Sequence, residues 1–89
     1  MIYRATKGFW KTYRELPTNV RTNARKAYHL WLSDPWHPSL HFKKVHTTRP
    51  IYSLRVGEGW RAICTNYEDQ YIWFWIGSHS DYDIIFSQL

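Results

Sequence analysis

A single cysteine, four glycines and seven acidic residues are all that this 89-residue chain has of those types. Each scarcity removes a class of function. Cys64 has no partner for an internal disulfide, and it falls on the apolar face of a predicted strand, where it serves as a small core residue. Nothing resembles a glycine-rich phosphate loop and there is no G-x-S-x-G turn, so nucleotide hydrolysis and serine-nucleophile chemistry lack their framework. No apolar run approaches membrane length, and the N-terminal MIYRATKGFW has no signal-peptide core. A soluble protein of the reducing cytoplasm, with no membrane partner, is therefore expected. No repeat, low-complexity tract or linker divides the chain, so residues 1–89 are expected to form one domain. The shortage of acid is also informative. Twelve Lys and Arg against seven Asp and Glu leave a net charge of +5, which favours a polyanionic partner, nucleic acid or an acidic protein.

Aromatic residues are plentiful. Six Trp, seven Tyr and four Phe can fill the core of so small a domain and still leave rings on the surface. The stretch from Ile51 to Asp83 organises the rest, reading as three strands in a meander, a short loop and a closing helix. Gly57-Glu58-Gly59, between two β-branched and aromatic runs, is a hairpin signal. Pairing Val56 with Trp60 sets Tyr52, Leu54 and Val56 beside Trp60, Ala62 and Cys64 as one apolar face. A slip of one residue would mix the faces. The same register puts Arg55 directly opposite Arg61. Like charges at facing positions repel, so the pair needs neutralising carboxylates, side chains splayed into solvent, or a visiting anion.

Upstream, Ile2 to Ala5 reads as a short strand ending where Thr6 can cap a helix. Phe9, Trp10, Tyr13 and Leu16 have helical spacing, and Pro17 stops that helix and starts a second. In the second, Val20, Ala24, Ala27, Tyr28 and Trp31 form a buried stripe, while Arg21, Arg25 and His29 line another face. Asp34-Pro35 ends it, and the two helices make an αα-hairpin. Pro35 to Ser39 is loop. Leu40 to Val45 is a strand with Leu40, Phe42 and Lys44 on one side and His41, Lys43 and Val45 on the other. Asn66 to Asp69 turns the chain into Gln70 to Ile76, apolar on both faces and so a central strand covered on both sides. Ser80 and Asp83, as S-x-x-D, start a short helix docked by Ile84, Ile85, Phe86 and Leu89. The expected fold is α+β: an N-terminal helical hairpin packed on a small antiparallel sheet, with a short C-terminal helix at an edge or on the other face.

His37, His41 and His46 invite a metal reading. Pro38 prevents the helix that would align the first two, however, and no Asp or Cys nearby completes a set, so no metal is expected. Lys43, Lys44, Arg49, Arg55 and Arg61 all fall in the sheet half, where Lys43, Arg55 and Arg61 could share one face. His79 stands just past a strand end in G-S-H-S-D-Y-D, with Tyr82 following. Singly these are ordinary: solvated cations, a capping histidine, a core tyrosine. Together, cations, an imidazole and a phenol are what RNA cleavage without a metal needs. A 2′-hydroxyl must lose a proton, the phosphate needs cationic stabilisation, and the leaving 5′-oxygen must gain a proton. Arginine holds phosphate bidentately.

Taken in order, several motifs resemble the RelE/ParE superfamily of toxins from type II toxin–antitoxin systems. They are Y-R-E-L-P at 13–17, A-R-K-A at 24–27, D-P-W-H-P-S-L-H-F-K-K at 34–44, I-Y-S-L-R-V-G-E-G-W-R-A-I at 51–63 and W-F-W-I-G-S-H-S-D-Y-D at 73–83. The likeness spans nearly the whole chain, and the strand–turn–strand at 51–63 is its most specific part. It implies a RelE-like sheet with two N-terminal helices and a cognate antitoxin that wraps the toxin. For nuclease members it implies cleavage of mRNA in the ribosomal decoding site, with no metal or other cofactor. By position, Arg61 matches the strand arginine on the scissile phosphate, and Lys43 and Lys44 match basic residues of the preceding strand region. His79 and Tyr82 match the segment where related nucleases place proton-transfer residues. The chain departs from some nuclease members in having no Lys or Arg from Ile76 to Leu89. The superfamily also holds gyrase-inhibiting toxins without the catalytic set. The expectation is a ribosome-dependent mRNA endonuclease, an mRNA interferase that inhibits translation. Arg61, His79 and Tyr82 would be catalytic, with Lys43, Lys44 and Arg55 on RNA phosphate. The alternatives are a protein-binding inhibitor of DNA gyrase and a non-catalytic basic RNA-binding module.

Overall fold

Thr6 closes the first strand and opens the first helix. Its Oγ1 accepts a hydrogen bond from the Phe9 amide at 3.1 Å, satisfying one of the donors a helix start leaves free. The computed structural model describes residues 2–89. It runs β1 (Ile2–Ala5), α1 (Lys7–Arg14), α2 (Thr18–Ser33), a 3-10 turn at Pro38–Leu40, β2 (Lys43–Lys44), β3 (Ile51–Arg55), β4 (Trp60–Tyr67), β5 (Gln70–Ser78) and α3 (His79–Ser87). The fold is α+β, as the sequence pattern implies. Among the described residues no helix is long and apolar enough to cross a membrane.

The strand order is β1-β5-β4-β3-β2. From β2 to β5 all pairings are antiparallel. β1 alone joins parallel, beside β5, because α1 and α2 carry the chain from one edge of the sheet to the other before β2 begins. Beyond Trp73, where β1 has ended, α1 takes over the edge of β5. The Ile76 amide donates to Thr12 Oγ1 at 3.3 Å, so a helix side chain satisfies a backbone donor that would otherwise face an open edge.

The two faces of the sheet are packed separately. Leu16, Val20, Ala24 and Trp31 from the helical segment meet Leu54, Val56, Ala62, Cys64, Trp73 and Ile76 on one face. Trp31, wholly buried, meets Tyr71 and Trp73 edge-on at centroid distances of 5.3 and 5.0 Å. On the other face Ile51, Ile63 and Trp75 form a smaller core, against which Tyr82, Ile85 and Leu89 of the closing segment pack. The closing helix therefore lies on the face opposite the hairpin. A bulge explains why β5 is apolar on both sides. Cys64 pairs with Trp73 and Ile63 with Trp75, leaving Phe74 unpaired between them. Trp73 then enters one core, while Phe74 and Trp75 both turn to the other, as a bulge's extra residue requires.

Two expected boundaries move. The strand expected over Leu40 to Val45 is reduced to Lys43–Lys44. Pro38 begins a 3-10 turn, the His37 side chain caps it by accepting from the Ser39 amide, and His41 adopts a left-handed φ of 47°. The last helix begins two residues early. Strand β5 continues to Ser78, paired with Trp60. Ser78 Oγ then accepts from the Asp81 amide at 3.1 Å, so the capping S-x-x-D is Ser78–Asp81 and not Ser80–Asp83.

Candidate functional site

The hairpin between β3 and β4 turns through Gly57 and Gly59 at φ of 67° and 81°, conformations that L side chains avoid. With Val56 N donating to Trp60 O at 3.0 Å, the register places Arg55 opposite Arg61. Both are half-buried. Arg55 Nε donates to the Gly57 carbonyl at 3.4 Å, which holds that guanidinium against the turn. Neither arginine has a carboxylate partner: among the described residues the one ion pair joins His79 Nε2 to Asp83 at 3.9 Å. Of the three ways to tolerate facing arginines, neutralisation by a carboxylate is thus absent.

On its other side Arg61 faces Gly77 of β5. A Cβ on Gly77 would stand 2.5 Å from Trp75 Cζ2, so the indole of Trp75 lies across the backbone where a side chain would be. Tyr82 packs beside that indole at 6.4 Å, and His79 stacks on Tyr82 at 5.9 Å with an interplanar angle of 23°. The His79 amide donates to the Gly59 carbonyl at 2.8 Å, tying the start of α3 to the arginine hairpin. The His79 side chain is 54 % exposed, so its pair with Asp83 is a weak, solvent-screened contact.

Side-chain alternation sorts the other sequence candidates. Arg55, Arg61 and Ile63 share the α3 face, as does Lys43, which pairs with Ser53. Tyr82 and the stacked His79 belong to the same side. Lys44 pairs with Tyr52 and lies on the hairpin face. The structure therefore brings Arg55, Arg61, Lys43, His79 and Tyr82 to one side and separates Lys44 from them. Neither of the two main cavities is lined by Arg55, Arg61 or His79. The larger, about 400 Å³, lies between the helices and the sheet under Phe9, Trp10, Tyr13 and Tyr28. The smaller, about 300 Å³, is bounded by Glu15, Trp60, Gly77 and Asp81. The arginine site is an open shelf with an aromatic backing.

His37 and His46 are occupied locally. His37 Nδ1 accepts from the Ser39 amide at 3.2 Å, and His46 Nδ1 accepts from the amides of Thr48 and Arg49 at 3.2 and 3.0 Å. Among the described residues no group of three His, Cys, Asp or Glu stands close enough to hold a metal. Burial pushes the Cys64 thiol well up. Burial, then the charge and hydrogen bond of Tyr3, raise the Tyr28 phenol to about 12.

Sequence reasoning missed two features. Gly77 and Trp75 form a unit, and the available signal was a glycine in a strand of otherwise bulky residues. The charge is also unevenly placed. Residues 1–33 hold seven Lys and Arg against Glu15, while residues 34–89 hold five against six Asp and Glu. The positive excess belongs to the helical segment.

A family model described as a ParE-like toxin domain matches residues 18–84. No characterised protein matches the chain at the level of sequence. Among solved structures, a chain of the Methanococcus jannaschii RelB–RelE antitoxin–toxin complex aligns with a TM-score of 0.72 and 18% identity, covering 97% of this chain and 99% of that one. E. coli YafQ gives 0.72 at 9% identity, covering 90% and 94%. Isolated E. coli RelE toxin gives 0.65 at 15%, covering 99% and 98%. At these identities the structural likeness is one of fold.

Proposed function

The chain belongs to the ParE-like toxin family, within the RelE/ParE superfamily, and from that premise we propose that it is the toxin of a type II toxin–antitoxin pair that cleaves mRNA on the ribosome without a metal ion. The supporting observation is Arg55 facing Arg61 with no carboxylate partner, on the side of the sheet where His79 is held. In this reading Arg61 and Arg55 bind the scissile phosphate and stabilise charge developing on its oxygens. The 2′-oxygen forms a bond to phosphorus and loses its proton as the bond to the 5′-oxygen breaks and that oxygen is protonated. His79 carries one of these protons as general acid or base, Tyr82 assists from the adjoining ring, and Lys43 and Lys44 attract the RNA. The openness of the shelf fits dependence on a ribosome, whose surface would supply the walls that exclude water. The protein would act in the cytoplasm. An acidic antitoxin would neutralise it in the manner implied for the Methanococcus relative, which was solved with RelB.

Induced expression should halt growth and yield mRNA cut within translated codons. Arg61→Ala and His79→Ala should each abolish both effects, and persistence of cleavage in both variants would remove the mechanism. One observation favours a second reading. Asp81 and Asp83 on α3 are exposed, and residues 76–89 carry no Lys or Arg, which is unfavourable for a phosphate. A toxin that inhibits DNA gyrase by protein contact would instead alter supercoiling and spare translation.

A further inference from the structure

Trp36 is 61 % exposed, yet it is firmly mounted. Pro35 and Pro38 flank it closely. Asp34 N donates to Leu30 O at 2.7 Å, and His37 N donates to Asp34 O at 3.1 Å. The segment is pinned beyond by Leu40, which is buried in the main core. The indole leans on buried Phe42 at a centroid distance of 5.0 Å, and Phe42 in turn stacks on Tyr52 at 5.2 Å. A large ring held on a rigid loop, with most of its surface in water, loses little entropy when a flat ligand covers it.

The segment around it carries a positive excess. From Asp34 to Pro50 the chain holds Lys43, Lys44, Arg49 and three histidines against the single carboxylate of Asp34. Phe42 and Lys44 lie on the Trp36 side of the sheet edge, while Lys43 lies on the side of Arg55 and Arg61. Strand β2 is two residues long and its outer edge is unpaired among the described strands. The lysines that register places on opposite faces therefore form successive steps around one short edge, leading from the arginine pair to the indole.

We infer that Trp36 is a base-stacking subsite for single-stranded RNA that leaves the arginine shelf over the β2 edge, with Lys43 and Lys44 contacting the intervening phosphates. Aromatic stacking with cations along a backbone path is the chemistry of sequence-tolerant single-strand binding. The inference rests on the reading of the protein as an RNA-directed toxin, and it adds a positioning residue outside the reacting set.

The test uses the purified full chain with a fluorescent single-stranded RNA oligonucleotide and, separately, mRNA on programmed ribosomes. Trp36→Ala should weaken oligonucleotide binding roughly five- to a hundredfold with its salt dependence unchanged, and Trp36→Phe should restore most of the affinity. Lys44→Ala should weaken binding less but flatten the salt dependence, since a phosphate contact is lost. On ribosomes Trp36→Ala should raise the mRNA concentration needed for half-maximal cutting and leave the single-turnover rate at saturation unchanged. Thermal unfolding of the Phe and Ala variants controls for folding. Unchanged affinity in a Trp36→Ala protein that still cuts mRNA overturns this inference alone. A wild-type chain that neither binds nor cuts RNA overturns the nuclease reading with it. Loss of binding to a partner protein, with RNA affinity intact, reassigns Trp36 to a protein interface and also overturns the inference.

Discussion

The two faces of the sheet are built to different standards. The hairpin face holds the larger core around Trp31, Leu54, Val56, Cys64 and Trp73. The α3 face has three buried hydrophobic residues, Ile51, Ile63 and Trp75, and a helix none of whose residues is fully buried. It also carries two facing arginines without a carboxylate. Repulsion is tolerated where burial contributes less, so the fold draws its stability from one face and leaves the other free to present charge. The difference separates residues that hold the protein together from the residues proposed to act.

The sharpest way to break this comparison is to exchange the two kinds of residue. Trp31→Ala removes a fully buried ring contacted by Phe42, Tyr71 and Trp73 and should cost about 3–5 kcal/mol, measured by denaturant unfolding. That loss is a large share of a small domain's stability, so toxicity should fall with it. Arg61→Ala should leave the unfolding midpoint unchanged or slightly higher, because a like-charge repulsion is relieved. Its cleavage rate should fall by roughly 10²–10³, the usual loss when one charge-stabilising donor is removed. If Arg61→Ala unfolds the protein as Trp31→Ala does, the division between faces is mistaken.

Gly77→Ala sharpens the boundary between the two roles. The added methyl would meet the Trp75 ring, which must move, and Trp75 supports Tyr82 and through it His79. Overpacking of this kind should cost about 1–3 kcal/mol. It should also lower cleavage more than that loss of stability explains. Cleavage unchanged in a folded Gly77→Ala protein would show that the aromatic backing does not position His79.

Much of this division was legible in the residues. The Gly57–Gly59 turn fixes the hairpin register, and alternation then puts Arg55 opposite Arg61 with Leu54 and Ala62 behind them. The stripe of Val20, Ala24 and Trp31 marks the buried side of α2. The bulge at Phe74 was not legible, because it breaks the alternation by which a strand is oriented. Nor was the parallel pairing of β1, which depends on where the helices deliver the chain. The opposite facing of Lys43 and Lys44 was legible, because a period of two sends adjacent side chains to opposite faces, and their pairing with Ser53 and Tyr52 agrees. Net charge is less informative. It points to a polyanionic partner without locating the contact, whereas the positive excess lies in residues 1–33 and the shelf is cationic only locally.

The smallest effect should be an alkaline one, on the hairpin face alone. Tyr28 is raised from 10.0 to about 12 by burial first and by Tyr3 second. The folded protein thus holds that proton more tightly than the unfolded chain does. Its contribution is complete below about pH 10 and is lost as pH rises from there towards 12. Tyr28→Phe has no proton to lose, so its unfolding midpoint should decline less over that interval than the wild type's. Between pH 6 and 9 the two proteins should differ only by a constant offset. An identical alkaline decline in both would place the titrating group elsewhere and detach Tyr28 from the stability of its face.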